Sequence, residues 1–215
     1  VQADRFDVMV TGFDNEGTAY IIDRRAIRHS MREDEEYPGQ MLPIDPAKYP
    51  EDWDILIDEV IEKKYPLADG SDRAMGIKLS ATDSGGKDGF TVNAYSFWRR
   101  LKADDRGHHE RFLLLKGASR EDAPQFKITY PNTERKDRKA KARGEIPVGM
   151  IGTLIQKDKA YQMICKEDGP GRISFAEGLP KTLFKELLAE TRLPTKWDNP
   201  KRLRNESFDL LVYAI

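Results

Sequence analysis

The segment at positions 76–86 constrains the fold more than any other stretch of the chain. Apolar residues at alternate positions predict a β-strand with one apolar face, and these residues are Ile77, Leu79 and Ala81. Asp83 continues that face at the carboxyl end of the strand, and the turn Ser84-Gly85-Gly86 follows. Because open α/β sheets bind ligands outside the carboxyl ends of their strands, Asp83 is a candidate site residue. The alternative is an ordinary strand exit, since Asp and Gly are common turn residues.

The length and composition predict a single globular domain over residues 1–215. Charged residues make up 34% of the chain and the net charge is −1, so there is no overall attraction to nucleic acid. No apolar run approaches the length of a membrane-spanning helix. The single cysteine, Cys165, excludes an internal disulfide framework and suits a reducing compartment. Its place on the apolar side of a predicted helix favours a core position over a nucleophile.

Strands and helices alternate along the sequence, an order that predicts an α/β fold with a mixed sheet and parallel neighbours. The predicted strands are Phe6–Phe13, Thr18–Asp23, Ile77–Asp83, Arg111–Gly117 and Ile173–Phe175. The predicted helices are Phe90–Lys102, residues 153–165, one that starts at Pro50, one that starts at Pro180 and a last one behind the N-cap Asn205. The apolar residues assigned to helix interiors include Val92, Phe184 and Leu188. Residues 31–51 are predicted to form a loop, and the lack of periodicity over 117–144 predicts a mobile loop near 118–146.

The last predicted helix places two acids, Glu206 and Asp209, three residues apart on one face of its first turn. One interpretation is that these acids complement the helix macrodipole. The other is a metal-ligand set together with Asp83, because hard divalent cations prefer oxygen ligands. Two such ions about 4 Å apart can activate a water and stabilise the leaving oxygen in phosphodiester cleavage. Spacing alone favours the first interpretation.

Basic residues at two places are candidates for contacts with phosphate. Lys116 ends a predicted strand at the same sheet edge as Asp83 and could neutralise a phosphate, although a solvated strand-end lysine fits equally well. A basic run in the long loop predicts sequence-independent binding to a nucleic-acid backbone, the alternative being a solvated, disordered loop. The run comprises Arg135, Lys136, Arg138, Lys139, Lys141 and Arg143.

Two other segments are similar to functional motifs but lack the residues or the spacing that those motifs require. Gly86-Lys87 is similar to the end of a phosphate-binding loop, but Ala81 replaces the required earlier glycine and Asp88 stands where Ser or Thr is needed. The sequence therefore predicts no ATP site. The polar residues at 104–110 lack a recognised metal-ligand spacing and are interpreted as a polar loop.

Several segments occur in a specific order along nearly the whole chain. They are Val1-Gln2-Ala3-Asp4-Arg5-Phe6, Thr82-Asp83-Ser84-Gly85-Gly86, Lys116-Gly117-Ala118-Ser119, Gly169-Pro170-Gly171-Arg172-Ile173-Ser174-Phe175 and Arg204-Asn205-Glu206-Ser207-Phe208-Asp209-Leu210-Leu211-Val212-Tyr213-Ala214. In order and approximate spacing, this set resembles the nuclease domain of the large terminase subunit of tailed phages, in the group that contains the lambda packaging enzyme.

The resemblance implies a ribonuclease H-like fold, in which helices cover both faces of a mixed sheet. It implies a divalent-metal endonuclease that cuts concatemeric double-stranded viral DNA at the start and end of packaging. Asp83 and Asp209 would bind Mg²⁺ or Mn²⁺, Glu206 is a lesser candidate for the final-helix acid, and Lys116 is a further catalytic candidate. The implied partners are DNA, the N-terminal ATPase domain of the same polypeptide, the portal and the small terminase subunit, and no membrane is among them. The implied location is the host cytoplasm.

One position departs from the family pattern. The family's first metal aspartate falls immediately before Val1, so a two-metal site is expected when that upstream residue is present. Asp4 lies on the predicted first strand but does not match that position. Two alternatives stay open: a non-catalytic DNA-binding or docking module of the packaging motor, and a related ribonuclease H-like recombination nuclease.

Overall fold

The structure is a computed structural model that describes residues 1–86, 88–120, 122–132 and 141–215. It contains strands in several sheets together with helices, which confirms the mixed α/β class. Contacts divide the chain into two compact units: residues 1–6, 27–116 and 128–149 form the first, and residues 7–26, 117–127 and 150–215 form the second. In the described parts of the chain, no helix combines the length and the apolarity needed to cross a bilayer. The interpretation of residues 1–215 as one domain stays a prediction.

The helix predicted from Pro50 forms in the first unit. It opens as a 3-10 turn over Pro50–Trp53 and ends as a π-helical turn over Ile57–Ile61. Pro50 occupies the start of the helix, where its missing N–H costs no hydrogen bond. The core of this unit contains a row of aromatic rings whose neighbouring centroids lie 5.2–5.9 Å apart: Phe6, Trp53, Phe97 and Phe112.

The predicted strand–helix–strand motif is confirmed within the first unit. Strand β7 (Ser80–Asp83) leads to helix α1 (Phe90–Ala103), and strand β8 (Phe112–Ala118) then pairs with β7 in parallel, from Ser80 opposite Phe112 to Asp83 opposite Leu115. The order β7-β8-β10-β9 completes a four-stranded sheet with β9 (Phe126–Thr129) and β10 (Val148–Gly152). This pairing places the end of β7 beside Leu115 of β8.

Three sequence predictions for the first unit are wrong. The strand begins at Ser80 rather than Ile77, and Leu79 is 62% exposed, because the face that packs inward carries Ser80 and Ser84 instead of the apolar residues. The predicted loop over 31–51 contains an antiparallel hairpin of β3 (His29–Glu33) and β4 (Met41–Pro43). Val92 is exposed, whereas Tyr95, Phe97 and Trp98 of α1 are buried. A second hairpin joins β5 (Lys64–Pro66) to β6 (Ala74–Gly76).

The second unit contains a three-stranded sheet in the order β1-β2-β11. Strands β1 (Phe6–Phe13) and β2 (Ala19–Ile27) form the predicted hairpin, and β11 (Ile173–Phe175) runs parallel to β2. The turn is stabilised by Asp14, whose Oδ1 accepts hydrogen bonds of 2.9 Å from the N–H groups of Glu16 and Thr18. Strand β1 starts at Phe6, so Asp4 precedes the strand and does not lie on it, contrary to the prediction.

The helices of the second unit form where they were predicted. They are α2 (Thr153–Cys165), α3 (Lys181–Leu187) and α4 (Glu206–Ala214), and the short strands β12 (Thr191–Arg192) and β13 (Trp197–Asp198) lie between α3 and α4 in the chain. Phe208, Leu211 and Val212 of α4 are buried, as the apolar pattern predicts.

Some predicted inward-facing residues of this unit are at the surface. Cys165 is exposed, so the prediction of a core cysteine is wrong: it ends α2, beyond the buried positions of that helix. Phe184 and Leu188 are also exposed: the buried face of α3 carries Leu183, Glu186 and Leu187 but not Phe184, and α3 ends before Leu188. A charged residue, Glu186, therefore takes an inward position that the apolar pattern did not predict.

Candidate active site

Asp83 is oriented by the backbone of the turn that follows it. Its Oδ1 accepts a hydrogen bond of 2.8 Å from the Gly85 N–H. A Cβ atom at Gly85 would lie 3.2 Å from that oxygen, so a glycine keeps the space beside the carboxylate clear. Ser84 anchors the turn, since its N–H and its hydroxyl both donate to the Leu115 carbonyl at 2.9 Å. These contacts fix the direction of the Asp83 carboxylate, and the residue as a whole is half-buried.

Lys116 lies at the same sheet edge as Asp83, in keeping with the sequence prediction. Asp83 is opposite Leu115 in the parallel register, and Lys116 comes one position later. Because successive side chains of a strand point to opposite faces, Asp83 and Lys116 leave the sheet on opposite faces. Lys116 Nζ lies 5.5 Å from the centroid of the Tyr95 ring in α1, which is the geometry of a cation–π contact.

Asp209 is held on both of its oxygens by side chains of the second unit. Lys157 Nζ, from α2, lies 3.0 Å from Oδ1, and Asn205 Nδ2 donates to Oδ2 at 3.1 Å. Both donors also bond to Glu190 Oε1, each at 2.6 Å. The Asp209 side chain is 37% exposed, so the carboxylate is oriented by the protein and still meets solvent.

Two members of this cluster, Lys157 and Glu190, were missed by the sequence analysis. Neither belongs to a motif. They meet Asp209 only because α2, α4 and the segment after α3 pack together. Burial alone would lower the pKa of Lys157, but the charge of Asp209 and the hydrogen bond to Glu190 outweigh it, so the pKa lies above the ordinary lysine value. The ammonium group is therefore charged at neutral pH.

The sequence correctly placed Glu206 and Asp209 in the first turn of α4, and Asn205 at its N-cap. The Asn205 side chain does not cap the helix, however, since its amide donates to Glu190 and Asp209. Glu206 is half-buried at the first position of α4. The metal-binding roles of Asp209 and Glu206 stay predictions.

A buried charge network fixes the start of α4. Arg24 of β2 bonds to Asp7 Oδ1 and Glu186 Oε2 at 3.1 Å each, and to Ser207 Oγ at 2.8 Å. Arg204 contacts the same two carboxylates. Glu186 Oε2 accepts the Ser207 N–H at 3.0 Å, so a carboxylate from α3 satisfies a backbone donor in the first turn of α4. Because Arg24 and Arg204 both pair with Asp7 and Glu186, arginines balance the negative charge of these two acids within the protein.

The predicted basic run is described only at its C-terminal end. Arg135, Lys136, Arg138 and Lys139 lie outside the described residues. At the end of the run, the Lys141 carbonyl accepts from Arg99 Nη2 at 3.0 Å, and the Arg143 N–H donates to Glu145 at 2.6 Å. Glu145 in turn pairs with Arg99 of α1 at 2.7 Å. These contacts attach the C-terminal end of the basic run to α1 and Glu145 of the first unit.

The donor chemistry at Asp83 and Asp209 suits a hard cation, because each residue offers an oriented, partly accessible carboxylate. The two residues belong to different units. Within the described ranges, no group of three or more His, Cys, Asp or Glu side chains could hold a metal ion. Carboxylate oxygens are thus suitable ligands for a divalent ion. Which residues together would complete its coordination stays a prediction.

Comparison with known proteins defines the class to which these features belong. A family model for the endonuclease domain of gpA, the large terminase subunit, matches residues 1–215. The chain belongs to this family, which confirms the resemblance inferred from the sequence. The family is one of nucleases that act in DNA packaging, so nuclease is the functional class of the chain. No curated protein and no solved structure matches the chain.

Proposed function

We propose that this chain is a divalent-metal-dependent endonuclease domain with a ribonuclease H-like fold, which cuts concatemeric double-stranded DNA during packaging. The observation that carries the proposal is the way in which the protein holds Asp83 and Asp209. Each carboxylate is oriented by hydrogen bonds and yet keeps accessible surface. Such an arrangement suits a carboxylate that receives an ion from solvent.

In this proposal Asp83 and Asp209 hold Mg²⁺ or Mn²⁺, and Glu206 is a secondary ligand candidate. When bound, the ions supply an activated water and charge stabilisation for the leaving oxygen of a phosphodiester. Lys116 stays a candidate for neutralising a substrate phosphate beyond the ends of β7 and β8, although its side chain leaves the sheet on the face opposite to Asp83. The Gly85 N–H keeps Asp83 pointing in one direction, and the Lys157–Asn205 pair does the same for Asp209.

The basic run supplies DNA affinity in the same proposal, because lysine and arginine side chains release counterions from a phosphate backbone. Alanine at Arg135, Lys136, Arg138 and Lys139 should weaken binding to all DNA sequences alike. The slope of log affinity against log salt should become shallower by about 0.9 for each phosphate that the variant no longer neutralises. Alanine at Lys181, Lys185, Lys201 and Arg202, four exposed basic residues outside the run, is the matched control. An unchanged slope in the run variant would place the DNA path elsewhere.

The proposed partners follow from the same role. They are double-stranded DNA, the N-terminal ATPase domain of the same polypeptide, the portal and the small terminase subunit. The proposed location is the host cell cytoplasm, where concatemeric phage DNA is cut and packaged.

The direct test is plasmid nicking by the purified protein with Mg²⁺ or Mn²⁺, and with a chelator as the control. We expect nicked and linear products that depend on the added ion and disappear with the chelator. Cleavage that persists with the chelator would contradict metal dependence. DNA binding without cleavage under any metal condition would instead favour the non-catalytic docking module.

A further inference from the structure

The surroundings of Asp209 form a clamp made of two donors and one anchoring carboxylate. Lys157 and Asn205 each bond once to Glu190 Oε1 and once to Asp209, using different oxygens of the aspartate. Only 5% of the Glu190 side chain is exposed, whereas 37% of the Asp209 side chain is. Glu190 is therefore the buried end of the clamp and Asp209 its solvent-facing end.

The charges of the clamp determine what an incoming cation meets. Glu190 and Asp209 each carry one negative charge, and Lys157 carries one positive charge and lies within 3.0 Å of both carboxylates. The net charge of the clamp is therefore −1 while Lys157 is present. Without the lysine, two carboxylates that share the Asn205 amide would face each other with no cation between them.

We propose that Lys157 is a positioning residue for Asp209: with Asn205 and Glu190 it fixes the direction of the carboxylate, and its ammonium keeps Glu190 from competing for the metal ion. This inference rests on the proposed function, because it takes Asp209 to be a metal-binding residue. The ammonium group satisfies Glu190 from inside, so a divalent ion that approaches from solvent meets only the outer carboxylate. Groups that orient a metal ligand in this way commonly alter metal affinity or activity when they are replaced.

The ordinary interpretation of the same contacts is a buried ion pair that joins α2 to the chain segment before α4. Breaking such a pair would affect stability, and the loss of a positive charge 3.0 Å from Asp209 would by itself tighten the binding of a cation there. The two interpretations are therefore separated by DNA cleavage measured beside Mn²⁺ binding, because only the loss of positioning lowers cleavage while the ion binds more tightly.

The experiment compares Mn²⁺ affinity by calorimetry in four variants of the purified protein. Lys157→Met should bind Mn²⁺ about tenfold more tightly than the unchanged protein, because the ion replaces the missing ammonium between two carboxylates. Glu190→Gln should bind it more weakly, because the clamp loses its negative charge. The double variant restores a net charge of −1 and should return close to the original affinity. Lys157→Arg keeps the charge and should stay close to it as well.

Lys159→Met is the matched control, because it removes the same charge from the same helix. Lys159 is exposed and its Nζ donates to the Ile215 carbonyl, not to Asp209. Its Mn²⁺ affinity and DNA cleavage should not change. In Lys157→Met, by contrast, cleavage should fall about 10- to 100-fold in spite of tighter binding, because Asp209 loses its orientation.

Two outcomes would overturn different parts of the proposal. Equal Mn²⁺ affinity in folded Lys157→Met and Lys159→Met, with Asp209→Asn reducing that affinity, would reject the positioning role and leave the proposed function intact. Unchanged Mn²⁺ affinity in Asp209→Asn would remove Asp209 from the metal site, and would overturn both that part of the proposed function and the role of Lys157. Circular dichroism of each variant shows that the comparison is made between folded proteins.

Discussion

Asp83 and Asp209 are both oriented carboxylates, but they are oriented by different means. Asp83 receives its hydrogen bond from Gly85, two residues further along the chain, within a turn anchored to the neighbouring strand. Asp209 is held by Lys157 and by Asn205, which a buried glutamate brings together. One carboxylate therefore depends on a local turn and the other on the packing of its whole unit. Their sensitivities to mutation should differ accordingly.

The largest effect is expected from variants that test the metal-binding role proposed for both carboxylates. Asp83→Asn and Asp209→Asn should each abolish metal-dependent plasmid nicking, because an amide is a poor ligand where a charged oxygen is needed. Asp83→Asn keeps the acceptor for Gly85, so its thermal unfolding should hardly change. Asp209→Asn leaves Lys157 with less compensating charge and should lower the melting temperature.

Asp168→Asn is the matched control for both variants, because the Asp168 side chain is 96% exposed and lies outside the site. It should neither reduce nicking nor lower the melting temperature. Normal nicking by a folded Asp83→Asn or Asp209→Asn protein would remove that residue from the catalytic assignment.

The second prediction tests whether the surroundings of Asp209 can be weakened without affecting those of Asp83. It disrupts the buried charge network around Arg24, which lies in the second unit only. Arg24→Met leaves Asp7 and Glu186 with one arginine instead of two, and should cost about 3 kcal/mol of unfolding free energy. Arg28→Met, which breaks an exposed pair with Asp4, should cost less than about 0.5 kcal/mol. Urea unfolding measures both values.

Hydrogen exchange shows where the Arg24→Met effect is felt. Amides in the first turn of α4 should exchange faster, while the Gly85 amide should keep its protection because its turn belongs to the first unit. Equal loss of protection at both places would show that the two sites do not respond separately.

The third prediction disturbs the local turn alone. Gly85→Ala places a methyl group 3.2 Å from Asp83 Oδ1, so the carboxylate must shift by a few tenths of an ångström. Nicking should fall about tenfold while the unfolding free energy changes by less than about 1 kcal/mol. Gly76→Ala is the control in the same unit, because its added Cβ meets no atom within 4 Å. Loss of nicking in the control as well would show that the effect is not specific to Asp83.

The smallest expected effect concerns the pH dependence of the clamp in metal-free protein. The folded-state pKa of Lys157 is raised, so its stabilisation is fully present below the ordinary lysine pKa of 10.5 and is lost as the pH rises through the folded-state pKa. The difference in unfolding free energy between the unchanged protein and Lys157→Met should therefore be constant at neutral pH. It should shrink in alkaline solution, and a difference that grows there would contradict this sign.

The two sites also show what the sequence could and could not predict. Asp83 could be chosen as a candidate because its signals are local: an alternating pattern, a carboxylate and two glycines in one short segment. The same pattern misplaced the strand start, because Leu79 continues the alternation beyond the paired residues and is exposed. Lys157 and Glu190 gave no local signal, since they are 33 residues apart in the sequence and meet only in the folded unit.

In the second unit, the prediction of buried residues was wrong mainly where a polar side chain faces inward. Glu186 occupies a buried face of α3 because two arginines and a serine satisfy it, an arrangement that an apolar pattern cannot reveal. Phe184, which the pattern assigned to the interior, is exposed because Glu186 takes part in the buried face of α3 in its place, and Leu188 is exposed because α3 ends before it.

The start of helix α4 depends on a residue far from it in the sequence. Its N-cap residue, Asn205, directs its amide to Glu190 and Asp209, and Glu186 of α3 accepts the Ser207 N–H instead. A short helix without its own capping side chain has little reason to form before its neighbours are in place. A synthetic peptide of residues 203–215 should accordingly show little helical circular dichroism. During synthesis, the segment that bears Asp209 would remain without fixed structure until the parts of its unit that carry Lys157, Glu186 and Glu190 have folded, so the carboxylate is oriented only after those earlier segments are in place.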